Sequence, residues 1–393
     1  MNIAIIADEL APGSAPKLLG LKVKYLEELG HKVTLLIIND NGLYEKNKTN
    51  YDQFLKNVEI RYLIKKFPKL LKKINFKFPF MSFFSLHHIS SIFFAHRSVK
   101  YEEFDLCIAC CQYTTFAASN IKRKKNIKFL LLIWDPSTFI AKKIYKKKYP
   151  LLFPFLHICA IFLDKFAVKL CECLITSSLY HHQKYKLLTS KPLEIIHLGC
   201  FPNEFYEEKK YGKKNYILTF DRWDLGNDPK QILDILNDLK RKDIYLYIGG
   251  YWYQEELKSK FDEYANKLNI QDRVEHIGYL NEKQIKYYSS KSLINIHHIH
   301  DAFATTILET SGYGCPGIVP RGCGVDEIFL ENESILLVDD FETNSFVKKL
   351  DYFFEFDERD LNRFSKNAWS RAKDNSWQMN YGKKLEDVIM KYV

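Results

Sequence analysis

The sequence predicts an α/β protein of two domains, each a parallel sheet wound with helices. Three observations predict it. Short apolar runs alternate with helix-like stretches from the first residues onward. The alternation breaks at a charged stretch, residues 207–215, and then restarts. The 393 residues exceed one ordinary core and suit two.

Residues 2–7 form the first apolar run, which ends in Asp8-Glu9 and a loop holding Pro12 and Gly13. A helix is expected over 17–29, stopped by Gly30, and a strand over 33–38. Gly13 then sits near a helix N-terminus, a turn that suits a phosphate. Further strands are expected at 106–110, 128–133, 174–177 and 195–198. The second half repeats the scheme, with strands at 216–220, 244–248, 274–277, 293–298, 317–319 and 335–338. Helices are expected over 229–239, 255–268 and 282–290, and again up to about Ser311.

Hydrophobic residues make up 47% and charged residues 27%, enough for real cores and for solubility. No uninterrupted apolar run reaches spanning length, and the N-terminus enters a strand with no leader-like basic stretch, so a cytoplasmic protein is expected. The nine cysteines are scattered and mostly lie in apolar segments. Cys107 and Cys110 sit inside one such run without a second pair, which predicts a buried strand rather than a metal or redox site.

Charge is divided unevenly. Residues 1–200 carry 31 Lys and Arg against 15 Asp and Glu, which leaves 27 against 33 for residues 201–393. The first half should therefore face something anionic.

The most informative stretch runs from His300-Asp301 through Phe303, Ala304 and Thr305 to Glu309. It places two carboxylates on either side of a strand-to-helix junction, where helix amides can receive a diphosphate. Asp301 precedes the helix and Glu309 lies on it, so the two can address hydroxyls on opposite sides of that diphosphate. The bland alternative is a helix cap and a surface carboxylate.

The neighbouring motifs bear on that choice. Asp301 and Glu309 resemble the Glu-x7-Glu pair of the family-4 retaining glycosyltransferases (glycosyl transferases group 1). The run from Gly314-Cys-Pro316 to Gly324-Val-Asp-Glu327-Ile resembles that family's Gly-x-Pro and Gly-Gly-x-x-Glu segments. Phe220-Asp-Arg222 resembles its Gly-Arg, Ile248-Gly249-Gly250 its Val-Gly turn, and Asp272-Arg273 to Gly278 its Asp-Arg-Val strand. Ile175-Thr-Ser-Ser178 and His197-Leu-Gly199 to Phe205 resemble its interdomain stretch.

The resemblance implies a GT-B fold, two Rossmann-like domains facing across a cleft. Residues 1–200 would bind the acceptor and 201–376 the nucleotide sugar, with a helix over 377–393 packing back on the first domain. It implies transfer with retention of configuration, from a donor such as a UDP- or GDP-sugar, with no cofactor and no metal. Arg222 would bind the diphosphate, with amides around Phe303, Ala304 and Thr305; Glu309 would bond the ribose and Asp301 the donor sugar. Gly249 and Ile277 would complete the donor pocket, and Gly13 would approach from the other domain.

Several positions depart from the family pattern. Its usual lysine after the arginine is missing, and Lys230 is the nearest cation. Trp134-Asp135-Pro136 stands where the family has an acceptor-side histidine, which makes Asp135 the candidate for orienting the acceptor. Ala302 and Ala304 replace glycines, and Asp301 is a methylene shorter than the usual Glu. His297, His298 and His300 could suggest a metal cluster, but strand neighbours point to opposite faces, so His297 and His298 do not readily converge. Lining of the donor pocket by His298 or His300, or ordinary packing for one of them, is the better expectation.

A sugar-nucleotide epimerase or a phosphorylase would share the fold and remains open. A nucleic-acid or polyanion binder would use the basic half, but no recognised nucleic-acid module is visible. The expected acceptor is a glycan or a lipid-linked sugar at the inner face of an anionic membrane. Phe67, Leu70, Leu71 and Ile74 fall on one helix face among lysines, with Phe76, Phe78, Phe80, Phe83 and Phe84 following. A second basic patch, residues 142–148, precedes an apolar segment over 151–163.

Overall fold

The computed structural model describes residues 1–10, 14–39, 55–73, 85–209, 214–224, 226–299 and 303–392. They fall into two units, Met1–Ile196 with Gly382–Val393, and His197–Tyr381.

The first unit is built on seven parallel strands in the order β3-β2-β1-β4-β5-β6-β7. They are β1 (Asn2–Ala7), β2 (Lys32–Ile37), β3 (Glu59–Tyr62), β4 (Leu106–Cys110), β5 (Lys128–Ile133), β6 (Leu174–Thr176) and β7 (Leu193–Ile195). β4 is buried throughout, and β1 and β5 are buried except at their first residue. That is why they read as continuous apolar runs: helices cover both sheet faces. The order reverses between β1 and β4, which pair in register from Ile3↔Leu106 to Ile6↔Ala109.

Cys107 and Cys110 lie in this central strand, both buried, with burial pushing their thiols up to about 12 and about 11. Three residues apart in a strand, they face opposite sides of the sheet. β7 starts and ends earlier than expected. The ladder lasts until the Ile196 amide bonds Thr176 O, and the chain then leaves for the second unit.

The helix Gly382–Tyr392 completes the first unit. Its Glu386 bonds His31 at 2.7 Å, and its Lys391 bonds Glu194 at 2.7 Å. Trp377 and Tyr381, which precede it, are buried in the second unit, so the return begins at Gly382 where the sequence suggested 377.

The second unit holds six parallel strands in the order β10-β9-β8-β11-β12-β13. They are β8 (Asn215–Trp223), β9 (Ile244–Trp252), β10 (Val274–Gly278), β11 (Ser292–Ile296), β12 (Gly317–Pro320) and β13 (Ile335–Val338). The reversal falls between β8 and β11, and crevices at the carboxyl ends of strands at such a reversal are where α/β sheets bind ligands. Ile217, Ile232, Leu236, Leu246 and Ile294 join Phe346 and Phe353 in its main core.

One expected surface is corrected. Phe67 is buried beyond a 3-10 turn (Leu63–Lys66), the helix there is only Lys69–Lys73, and Leu71 packs on the core. Phe67, preceding Pro68, takes an extended backbone (φ −77°, ψ 159°), because the proline ring disfavours the helical region for the residue before it, so the helix cannot begin at Phe67. Only Leu70 of that face is exposed, while Ile74, Phe76, Phe78, Phe80, Phe83 and Phe84 lie outside the described residues. No helix among the described residues is long and apolar enough to cross a membrane.

Candidate functional site

At the carboxyl edge of the second sheet, β8 and β9 are drawn tightly together. The Trp223 indole, fully buried, donates to Gly249 O at 2.7 Å. Gly250 has φ +110°, and a β-carbon there would stand 1.9 Å from Asp221 O. Only glycine fits that crossing.

The crossing presents Arg222. Its Nε and Nη2 both lie 2.9 Å from Asp224 Oδ2, while Asp224 Oδ1 accepts the Gly226 and Asn227 amides at 2.7 and 3.2 Å. The carboxylate thus folds its own loop and fixes the guanidinium, whose side chain stays 38% exposed. Lys230 is exposed at the start of the following helix, with Nζ 5.4 Å from the Tyr264 ring centroid. The ring holds it against the outer helix layer.

β11 is tied to the same loop. His298 Nε2 donates to Asp228 O at 2.8 Å, and His297 Nδ1 lies 3.9 Å from Asp221 Oδ2. The two histidines therefore take different partners and do not form a shared ligand set. His300, Asp301 and Ala302 lie outside the described residues.

Beyond them, Phe303 and Ala304 are buried and the helix Thr305–Ser311 begins. The Ala304 amide donates to Cys323 O at 3.0 Å and the Thr305 amide to Phe303 O at 2.8 Å, so both are engaged within the chain. Gly317 on β12 lets this helix lie close, because a β-carbon there would be 2.4 Å from Ile307 Cγ2. Glu309 is half-buried on that helix, and Gly249 and Ile277 meet across the β9–β10 edge. His197 stacks on Phe303 with ring centroids 6.0 Å apart and bonds Glu327 Oε2 at 2.8 Å.

Among the described residues, Arg222 lies near the end of β8, Gly249 on β9, Ile277 on β10, and Phe303, Ala304, Thr305 and Glu309 just before and on the helix that follows β11. Sequence reasoning gave no role to Asp224, Asp221 or His197, and had His298 only as a candidate for lining the donor pocket. The signal for Asp224 was its position two residues from an arginine on a glycine-containing turn.

In the first unit, Asp135 follows β5 and is half-buried. Its turn is held by Asp164, a carboxylate only 1% exposed. Asp164 accepts from Ser137 N, Thr138 N, Thr138 Oγ1, Gln112 Nε2 and Tyr185 OH, all between 2.9 and 3.1 Å. Five donors satisfy the oxygens of this buried carboxyl group. Gln112 also donates to Asp135 O at 2.9 Å, so one network sets the position of Asp135.

Lys22 is buried beside this turn, with Nζ 3.3 Å from Leu18 O and 5.1 Å from the Trp134 ring centroid. Burial lowers its pKa to about 8. After β1, Asp8 Oδ1 accepts from Asn39 Nδ2 at 3.1 Å and lies 2.8 Å from His88 Nε2. The Ser85 amide donates to His88 Nδ1 at 2.9 Å, which leaves the ring proton on Nε2, facing Asp8. Gly13 lies outside the described residues.

Comparison with known proteins adds a likeness over part of the second unit. Residues 201–371 match the model for glycosyl transferases group 1. That segment is similar to the group 1 glycosyl transferases. It contains every described donor-site candidate, from Arg222 to Glu309. No curated protein matches the chain.

Solved structures extend the likeness to the whole chain. Sucrose-phosphate synthase from Thermosynechococcus elongatus is 13% identical with a TM-score of 0.77, covering 100% of this chain and 98% of its own. The Anabaena protein HepE, solved with UDP and glucose, is 13% identical with a TM-score of 0.74, covering 100% of both. A glycosyltransferase from Rickettsia africae is 17% identical with a TM-score of 0.72, covering 100% and 98%. At such identities the likeness establishes the fold, and the fold is GT-B.

Proposed function

We propose that the protein transfers a sugar from a nucleotide-sugar donor to a glycan or lipid-linked acceptor, retaining anomeric configuration and needing no metal. The observation that carries this reading is the coincidence of the segment similar to group 1 glycosyl transferases with the strand reversal that presents Arg222. A guanidinium held by Asp224 and still partly exposed is suited to a diphosphate, where charge develops as the sugar leaves. In a protected site such fixed charge can replace a divalent ion.

Glu309 takes the ribose in this reading and Asp301 the donor sugar, with Gly249 and Ile277 lining the pocket. The Ala304 and Thr305 amides are engaged within the chain, so the guanidinium carries the larger share of diphosphate binding. Lys230 can reach phosphate only by leaving the Tyr264 ring. Asp135 orients the acceptor from the turn fixed by Asp164. HepE, of the same fold, was solved with UDP and glucose, which supports a nucleotide-sugar donor here.

The test is transfer from a panel of UDP- and GDP-sugars to glycan and lipid-linked acceptors, with the product's anomeric configuration read by NMR and the assay repeated with a chelator. The reading expects the donor's configuration in the product and unchanged turnover with chelator. An inverted product, or activity lost to the chelator and restored by a metal, would overturn those parts. Turnover of the donor without any second sugar or acceptor would point instead to an epimerase.

A further inference from the structure

The helix Phe153–Leu170 leaves β5's side of the first sheet with two unlike faces. Leu156, Ala160, Leu163, Ala167 and Val168 are buried. On the opposite side, Leu151, Phe155, Ile158, Phe162 and Phe166 are 95%, 64%, 51%, 68% and 42% exposed. Phe155, Ile158, Phe162 and Phe166, spaced three, four and four residues apart, make one continuous stripe along the helix, and Leu151 stands exposed in the turn just before it. Scattered apolar side chains on a surface are ordinary, but an aligned row of three Phe and an Ile marks a contact surface.

Charge says what covers it. Residues 136–171 contain seven lysines, Lys142, Lys143, Lys146, Lys147, Lys148, Lys165 and Lys169, and a single acidic residue, Asp164. Asp164 is buried and occupied by its five donors, so the surface of this segment carries positive charge alone. Lys146, Lys147 and Lys148 precede the stripe's first residue, and Lys165 and Lys169 are exposed along its far end. A second copy of the chain would bring like charges together on such a face. An anionic lipid surface would take the apolar row into its acyl boundary and the ammonium groups at its phosphates.

We infer that the stripe from Phe155 to Phe166, with Leu151 and the flanking lysines, is a docking face for an anionic lipid bilayer. The helix starts at the carboxyl edge of the sheet, the edge that also carries Asp135. Docking through it brings that edge to the membrane surface. This last point rests on the proposed glycosyl transfer; the docking itself does not.

The experiment is flotation of the full chain with vesicles of phosphatidylcholine alone and of phosphatidylcholine with an equal part of phosphatidylglycerol, at low and high salt, without donor or acceptor. Binding is expected only to the anionic vesicles, and weaker at high salt. Phe155→Ser with Phe162→Ser should abolish it. Lys146→Glu with Lys147→Glu and Lys148→Glu should weaken it by about a hundredfold or more. All these side chains are exposed, and circular dichroism and donor binding should match the parent protein. Absence of binding to anionic vesicles at low salt, or binding unchanged in both variants, overturns the inference. So does dimerisation of the parent protein that Phe162→Ser abolishes, since the face would then join two copies. Because no substrate is present, failure here leaves the transferase reading intact, and failure of that reading leaves this one intact.

Discussion

Arg222 and Asp224 are locked together by two contacts to one oxygen, with Nε and Nη2 each 2.9 Å from Oδ2. The same carboxylate anchors the Gly226 and Asn227 amides through its other oxygen. Asp224 therefore acts as a positioning residue for the guanidinium. Asp224→Ala should lower kcat/KM by roughly tenfold, through looser geometry at the diphosphate. A merely structural role would lower stability without changing the kinetics of the folded fraction. Steady-state kinetics corrected for folded protein distinguish the two.

Arg222→Ala and Glu309→Ala should each lower turnover by about 100-fold or more while the chain stays folded. Arg222 is partly exposed and Glu309 half-buried, so neither truncation opens a core cavity. Near-parental turnover in both, with circular dichroism unchanged, would remove them from the site.

Gly250→Ala should destabilise the second unit by about 2 kcal/mol or more. The new β-carbon would stand 1.9 Å from Asp221 O on a backbone with φ +110°. Urea unfolding measures this, and a midpoint equal to the parent's would show that β8 and β9 do not approach as described.

Lys22 gives a pH signature. Its folded pKa is about 8, below its ordinary 10.5, because burial disfavours the charged form. Between those values the unfolded chain binds more protons, so this group makes stability rise with pH across that window. Below it the cost is fully present, about 3 kcal/mol. Lys22→Met should therefore stabilise the protein near pH 7 by about 1–3 kcal/mol, with the gain shrinking toward pH 10. The buried thiols Cys107 and Cys110 push the opposite way in both proteins, which is why the difference is the useful quantity. A variant less stable near pH 7, or a gain independent of pH, would contradict this.

The strands legible in the sequence were those buried on both faces. β4 and β13 run as Leu106–Cys110 and Ile335–Val338, the bounds expected from their apolar runs. β3 (Glu59–Tyr62) gave no such signal because it is an edge strand, where Arg61 bonds Glu59 and Glu103 instead of packing in the core. The Phe67 face looked like a helix by spacing alone, whereas tertiary burial and Pro68 decided otherwise. The apolar segment after Lys148 was visible, but spacing could not say which of its side chains would be buried. In the second unit, motif order singled out Arg222 and Glu309 as candidates. The contacts that shape the Arg222 loop, Asp224 to the guanidinium and His298 to Asp228 O, depend on loop closure that no local pattern encodes.

The central claim is that the second unit binds a nucleotide sugar through Arg222 and Glu309. Isothermal titration of the full chain with a panel of UDP- and GDP-sugars tests it most directly, repeated with Arg222→Ala and Glu309→Ala. The account predicts that at least one of these donors binds and that each variant weakens its binding by roughly tenfold or more. If the folded protein binds none of them, or if both variants bind as tightly as the parent, the account is contradicted.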